Sequence, residues 1–516
     1  MLRFEESKQL NFHSTLYHNI PENHILKLIN SALSFDFIND ILASSYCRNF
    51  GRPAKEPVMM AKLCFLQELY TLSDERVIDE TAINLAYMWF IGVNPGEPLP
   101  HPSLLSKFRT MRLKDVSLDD IITEIVRQCV EKDIINAENG STIDAMHVHA
   151  NTTKKVPERV MKHLAKKIFK AMGKTDYEIP DYTQIENHKE AKQVMKEYLE
   201  GVIEEADERA EEAVSEAKEI LESPLFIEQK GIRSIIDKDA RVGYKSKTES
   251  FFGYKVEFTQ TTDGALITAV GVHNGAYVDG SDFIKLYNRT KKAELDIKEQ
   301  YGDKAYFRKD ILDLLKEDNV KAYIPVSASS YKIDEEIFSY NKDSDQWVCV
   351  RGNRSISKKV RNTTRKDKGR ITDYVYTFDK VECVGCPLRS KCIKKAKGKA
   401  KKLIVGTSAG DFYEHSQWAK TEEFQEKYRK RAAIEWKNAE LKRFHGLARA
   451  KGYGIRSITT QAKLAVIAVN LKRIAILIAS SEPDIQVVSS IILVNFTGLH
   501  FYVLIYVKIK IYNDKL

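Results

Sequence analysis

The 516-residue sequence predicts an α/β protein: a mixed-sheet core preceded by an all-α N-terminal domain and interrupted by two insertions. Three observations predict it. Residues 1–135 carry helix-forming runs almost throughout. Beyond Gly140 the period changes to strand-like alternation in "STIDAMHVHA", and "GYKVEFTQTTDGALITAVGVHNG" reads as two strands around a "TTDG" turn. From there, helix formers and short apolar strand segments alternate as far as "QAKLAVIAVNLKRIAILIA".

In the N-terminal domain, "EPVMMAKLCFLQELY" is a continuous helix former with the composition of a core helix. Ser73 is positioned to cap the next helix, with acids in its first turn. "NPGEPLPHP" breaks the chain, and Ser103 is expected to cap "SLLSKFRTMRL". That helix carries Lys107, Arg109 and Arg112, which could meet DNA phosphates in a helix-turn-helix-like unit; a solvated surface is the alternative.

Residues 136–157, 230–330 and 405–480 are read as the sheet-containing core. Residues 158–229, ending in the acidic "KEYLEGVIEEADERAEEAVSEAKEILE", are read as an inserted helical hairpin. "SDFIKLYNRTKKAELDIKEQ" begins as helix and ends extended, followed by "YGDKAYF", a helix "KDILDLLKEDN" and a strand "KAYIPV". Residues 331–404 form a basic, cysteine-containing insertion, and "KLIVGT" is expected to be the last core strand. One helix should then run from a Thr421 cap to Gly446, with an apolar helix packing behind it.

The formal charge of +9 is modest, so its distribution matters more than its total. Between Arg351 and Lys402 there are 18 Lys or Arg against 4 Asp or Glu, interleaved with Tyr374, Tyr376 and Phe378. Such a stretch suits a polyanion such as DNA; a soluble basic loop is the alternative. "MLRFEESKQLNFHS" is charged and lacks the apolar centre of a signal peptide, and seven cysteines, an odd number, fit a reducing cytoplasm. The tail at 481–516 is long enough to span a bilayer, but Asn495, Thr497, Gly498 and His500 interrupt it. Its β-branched and aromatic bias also reads as strand or as an aggregation-prone end; a buried or poorly defined tail ranks above a transmembrane helix, and no membrane partner is expected.

Asp144 in mid-strand, Asp303 at a strand end and Glu435 on a helix give three acids on different elements of an RNase-H-like layout. Converging carboxylates are what two-metal phosphodiester chemistry requires, and Mg²⁺ or Mn²⁺ takes such oxygen ligands. In "YRKRAAIEWKNAELKRFHGL", Tyr428, Arg431, Glu435 and Lys442 stand at offsets of three, seven and fourteen. On one straight helix those side chains fall within about 60° of each other. A solvated helix face is the bland reading. Asp237, Asp239, Asp279 and Asp282 are more simply turn or surface acids, and His147 and His149 ordinary strand histidines.

Those four residues match the Y-(2)-R-(3)-E-(6)-K signature, and the chain resembles the DDE transposases of bacterial insertion sequences. "STIDAMHVHAN" and "YGDKAYF" resemble the segments holding that family's two Asp residues, and the likeness runs over roughly 35–475. It implies an RNase-H-like catalytic core with Asp144, Asp303 and Glu435 holding the metal. Arg431 and Lys442 would neutralise DNA phosphates, with Tyr428 positioning or stacking on DNA. Implied too are inverted-repeat element ends and target DNA as partners, a homodimer or higher synaptic complex, and a nucleoid-associated place in the bacterial cytoplasm. Rival readings are a decayed copy that only binds element ends, and a nuclease of the same fold without strand transfer.

"CVGCPLRSKC" supplies Cys383, Cys386 and Cys392, with Cys349 upstream as a fourth thiol. C-x2-C is a common zinc half-site, so structural Zn²⁺ and four unliganded thiols are both open. Cys47, Cys64 and Cys129 lie among apolar helical residues and should pack in the core.

Overall fold

The computed structural model describes residues 12–47, 53–223, 226, 231–246, 248–365, 369–393, 400–481, 492–496 and 499–503. The N-terminal region is helical, as periodicity predicts: α1 (Ile25–Ala32), α2 (Phe37–Leu42), α3 (Pro57–Tyr70), α4 (Asp74–Ile83), α5 (Leu85–Ile91), α6 (Ser103–Met111) and α7 (Asp115–Glu131). Ser73 caps α4, its hydroxyl accepting from Arg76 N at 3.1 Å. Ser103 does not cap α6. Pro102 already has helical torsions, so the turn starts one residue early, and His101 Nδ1 accepts the Ser103 N–H at 3.2 Å. Cys64 and Cys129 are buried as expected, whereas Cys47 is exposed.

The chain divides into two units, Met1–Asn139 with Ile143–Asp296 and Ala433–Leu516, and Gly140–Thr142 with Ile297–Ala432. The first holds most of β1 (Glu138–His149), then α8 (Pro157–Met172), α9 (His188–Glu204), α10 (Glu211–Glu222), β2 (Arg241–Tyr244), β3 (Ser250–Thr261), β4 (Ile267–Asn274) and α11 (Phe283–Lys292). Strand order there is β2-β3-β1. The start of β3 pairs antiparallel with β2 and the remainder with β4. Thr71 and Gly92 end α3 and α5 in left-handed turns, and Gly173 ends α8 the same way. That last stop, with Pro180 beyond it, makes the helical insertion three helices rather than a hairpin.

In the second unit, β5 (Asp296–Tyr301) neighbours β1 and pairs in parallel with β6 (Lys321–Tyr323), with α12 (Lys309–Glu317) as the crossover. The basic insertion holds β7 (Phe338–Asn341) and β8 (Gln346–Cys349), which pair antiparallel, followed by β9 (Ser355–Arg365), β10 (Gly369–Phe378) and the short helices α13 (Lys380–Val384) and α14 (Arg389–Cys392). β11 (Lys402–Gly406), expected as the last core strand, pairs instead with β10 in a three-stranded β11-β10-β9 sheet. The pattern Leu403 and Val405 inward, Lys402 and Ile404 outward, satisfies either sheet, so periodicity could not choose. Next come α15 (Ala409–Ala419) and α16 (Glu422–Tyr428), the latter capped by Thr421, whose hydroxyl accepts from Phe424 N at 3.2 Å.

The single helix expected from Thr421 to Gly446 is broken. A 3₁₀ turn at Arg429–Arg431 separates α16 from α17 (Ala432–Phe444). α18 (Ile455–Ser481) is long and apolar enough to cross a membrane by length and composition. Here it packs against α1, α3, α7 and β4 as the central helix of the first unit. In the tail, β12 (Ile492–Phe496) and β13 (Leu499–Val503) pair antiparallel, in line with its strand-like composition. The rest of 482–516 lies outside the described residues.

Candidate active site

Along β1, Ile143, Met146 and Val148 are buried, and Asp144, on the same face as Met146 and Val148, is half-exposed. α17 is tied to this strand twice. Asn438 Nδ2 donates to Asp144 Oδ2 at 2.9 Å. Beyond the helix, Gly446 turns the chain with φ +70°, and the backbone returns to the end of β1. There His149 N donates to Ala448 O at 3.1 Å, and Ala450 N donates to His149 O at 2.8 Å. Ile434 and Leu441, both 0% exposed, bury another face of α17. Glu435 stands one turn before Asn438 and Lys442 one turn after it, so the three share a stripe. Glu435 is exposed and Lys442 half-buried.

Close packing at the end of β1 depends on a glycine. A side chain at Gly253 on β3 would fall 2.1 Å from the Val148 carbonyl oxygen, and its φ of +154° also disfavours other residues.

The charge around Asp144 is mixed. Burial lowers the Lys442 ammonium, Lys245 lowers it further, and the Asp144 carboxylate opposes both. His147 is pushed down to about 4, first by burial and then by Lys442 and Lys245. Its imidazole is therefore neutral at physiological pH, and the two lysines supply the positive charge. His147 and His149 lie edge to face at 5.4 Å, and His147 also packs on Phe251 at 5.1 Å, an ordinary aromatic contact. The acids read as structural behave so: buried Asp237 accepts from Ala240 N at 3.2 Å, and Asp279 pairs with Lys255 at 2.7 Å.

The second unit holds Asp303, Tyr428 and Arg431. Asp303 follows β5 and is half-buried, its carboxylate accepting from Ala305 N at 2.7 Å to cap a 3₁₀ turn. Tyr428 ends α16 with its ring stacked on Phe424 at 5.7 Å, so one face already packs against protein. Arg431 ends the 3₁₀ turn. The single stripe expected for all four signature residues therefore does not form. Glu435 and Lys442 share one, while Tyr428 and Arg431 precede the helix that carries it.

Of the three N-terminal cations, only Lys107 is exposed. Arg109 donates to Asp74 at 2.7 Å and Gln67 at 2.8 Å, and burial of this cluster is offset by the ion pair. Arg112 donates to Ser45 O and stacks on Tyr46 at 4.4 Å. Both arginines make fold-holding contacts. Sequence spacing reports a basic face but not the acids that pack on it.

Cys349, Cys383 and Cys392 pack against one small apolar cluster in the basic insertion, and all four candidate thiols are half-buried and free. Burial raises the Cys392 thiol, Lys401 opposes this, and Cys386, Cys349 and Cys383 each add to the rise. Among the described residues no group of three or more His, Cys, Asp or Glu forms a ready metal shell.

Residues 14–111 match the family model described as Transposase domain (DUF772), and residues 348–475 match the one described as Transposase DDE domain. Together the two matches support a DDE transposase of insertion-sequence type. Searches of curated proteins and of solved structures returned no match. The DDE match contains Tyr428, Arg431, Glu435, Lys442 and the four cysteines, whereas Asp144 and Asp303 lie outside both matched segments. DNA is the substrate that the transposase family implies, and DDE domains generally use divalent metals.

Sequence reasoning overlooked Asn438 and Lys245. Asn438 had a usable signal, because it stands at +3 from Glu435 and −4 from Lys442. Lys245 had none: it lies far along the chain from Lys442 and meets it only through the fold.

Proposed function

We propose that this protein is a transposase that cuts one DNA strand at each element end and joins the freed 3′-hydroxyl to target DNA, using Asp144, Asp303 and Glu435. The observation that carries the reading is the Asn438–Asp144 hydrogen bond, which sets the helix of Glu435 against the strand of Asp144. The β2-β3-β1 order with β4 on β3 in one unit, and β1-β5-β6 in the other, supports an RNase-H-like core.

The donor set fits Mg²⁺ or Mn²⁺. Half-buried Asp144, exposed Glu435 and the buried Oδ1 of Asn438, which meets no donor among the described residues, are hard oxygens on neighbouring elements. Asp303 is the third carboxylate that the family resemblance assigns. The chemistry supplied by such ions when bound is activation of the attacking oxygen and stabilisation of the leaving one. Lys442 and Arg431 neutralise scissile-strand phosphates, and Lys442 suits this because its half-buried ammonium is poorly solvated and favours an anion. Tyr428 is the residue that the family resemblance assigns to positioning or stacking on DNA, and Lys107 supplies the N-terminal phosphate contact. Two element ends handled together require a dimer or higher synaptic complex, acting at the bacterial nucleoid. The same reading gives Cys349, Cys383, Cys386 and Cys392 to a structural Zn²⁺ ion in the basic insertion.

The test is strand cleavage and joining on element-end DNA with Mg²⁺. Glu435→Ala is expected to lower cleavage by at least about 10³-fold, as removal of a metal-holding carboxylate should, while end binding persists. Normal cutting by Glu435→Ala would falsify the assignment. Cleavage without joined products would make the protein a nuclease, and end binding without cleavage in the natural chain would make it a decayed copy.

A further inference from the structure

We propose that Asn438 is the positioning residue of the Asp144 carboxylate and offers its amide oxygen to the hydrated cation held there; this rests on the catalytic reading above. The amide has a determined orientation. An ionised carboxylate only accepts hydrogen bonds, so the Asn438 group 2.9 Å from Asp144 Oδ2 is the NH₂ end, and Oδ1 points elsewhere. Asn438 Oδ1 is buried and meets no donor among the described residues. A buried acceptor left without a partner is costly, and such atoms in a native fold mark the place of an unseen water or ion.

Its surroundings favour the hydrated ion. Glu435 and Lys442 flank Asn438 on the same stripe of α17, and Asp144 lies directly across. A carboxylate that binds a metal keeps its geometry through outer hydrogen bonds, and loss of such a partner typically weakens metal binding 10- to 100-fold. A purely structural tie between α17 and β1 would not need the second amide atom. The helix also has other anchors, in buried Ile434 and Leu441 and in the backbone pairing at His149.

The experiment measures Mn²⁺ binding by the full-length, DNA-free protein, read as loss of the free-ion electron paramagnetic resonance signal. Asn438→Ala should weaken binding at least tenfold, with element-end binding in EDTA and the melting temperature little changed. Asn438→Asp keeps an acceptor oxygen and should hold Mn²⁺ affinity within a few-fold of the natural protein. Wild-type affinity in Asn438→Ala, alongside its loss in Asp144→Ala and Glu435→Ala, overturns the inference and leaves the catalytic reading standing. Unchanged Mn²⁺ binding and cleavage in those two carboxylate variants overturns both. If Asn438→Ala melts well below the natural protein, Asn438→Asp decides: retained Mn²⁺ affinity supports the proposal, and lost affinity overturns it.

Discussion

The two insertions solve the same problem by different means. Among the described residues, the helical insertion and the segment just after it bury sixteen side chains in one cluster, mostly aliphatic, from Val160 and Leu164 through Met195 and Leu199 to Ile220 and Ile232. Among the described residues, the basic insertion and the segment just after it gather seven: Phe338, Trp347, Tyr376, Phe378, Leu403, Val405 and Ala409. Apolar area scales with that difference, so the first can stand on burial alone. The second adds polar devices. Asp345 accepts from Tyr340 at 2.8 Å, Tyr376 at 2.7 Å and Lys358 at 2.6 Å, and Cys349, Cys383 and Cys392 border the same cluster. A small core dense in Lys and Arg needs such staples, because like charges repel and the apolar gain is small.

The sharpest way to separate the two is metal removal. With a structural zinc ion, the protein as purified should hold about one zinc per chain, and Cys383→Ser should abolish it, since such sites use four ligands. Chelation should then expose residues 331–404 to protease while α8–α10 stay protected. Zinc-free protein with equal protection in both insertions would leave the cysteines as packing residues. Trp347→Ala comes next. This side chain is 0% exposed, and its loss should cost about 3–5 kcal/mol, enough to open a seven-residue core in a limited-proteolysis assay.

Leu199→Ala in the helical insertion should cost about 2–5 kcal/mol, read as a lowered urea midpoint, without opening the insertion to protease. If it unfolds the helices outright, burial there is less redundant than sixteen side chains imply. The smallest effect is a pH dependence. Burial tends to raise the Asp345 carboxyl, but hydrogen bonds from Lys358, Tyr376 and Tyr340 outweigh it and hold it below the ordinary range. A depressed folded pKa gives stability that is complete above the unfolded value of about 3.9 and lost as pH falls through the folded one. The advantage of the natural protein over Asp345→Asn should therefore be constant at neutral pH and shrink below about pH 4. Thermal melts at pH 7 and pH 3 would read it, and an equal gap at both would remove charge from the account.

Local chemistry was legible along the chain. Ser73 and Thr421 cap the helices they precede, "TTDG" turns a hairpin, and alternation in "STIDAMHVHA" makes a strand with Asp144 at its middle. These features depend on neighbours within a few residues, so sequence by itself determined them, together with the transposase resemblance and the candidate acids. Partner choice was not legible. Arg109 found Asp74, β11 found β10, and one expected helix split at Arg429–Arg431. Nor did spacing reveal that Asn438 reaches Asp144 across 294 residues of chain. Tertiary structure decided these, because periodicity says which face a side chain occupies, whereas only packing brings the opposing group to within hydrogen-bond distance.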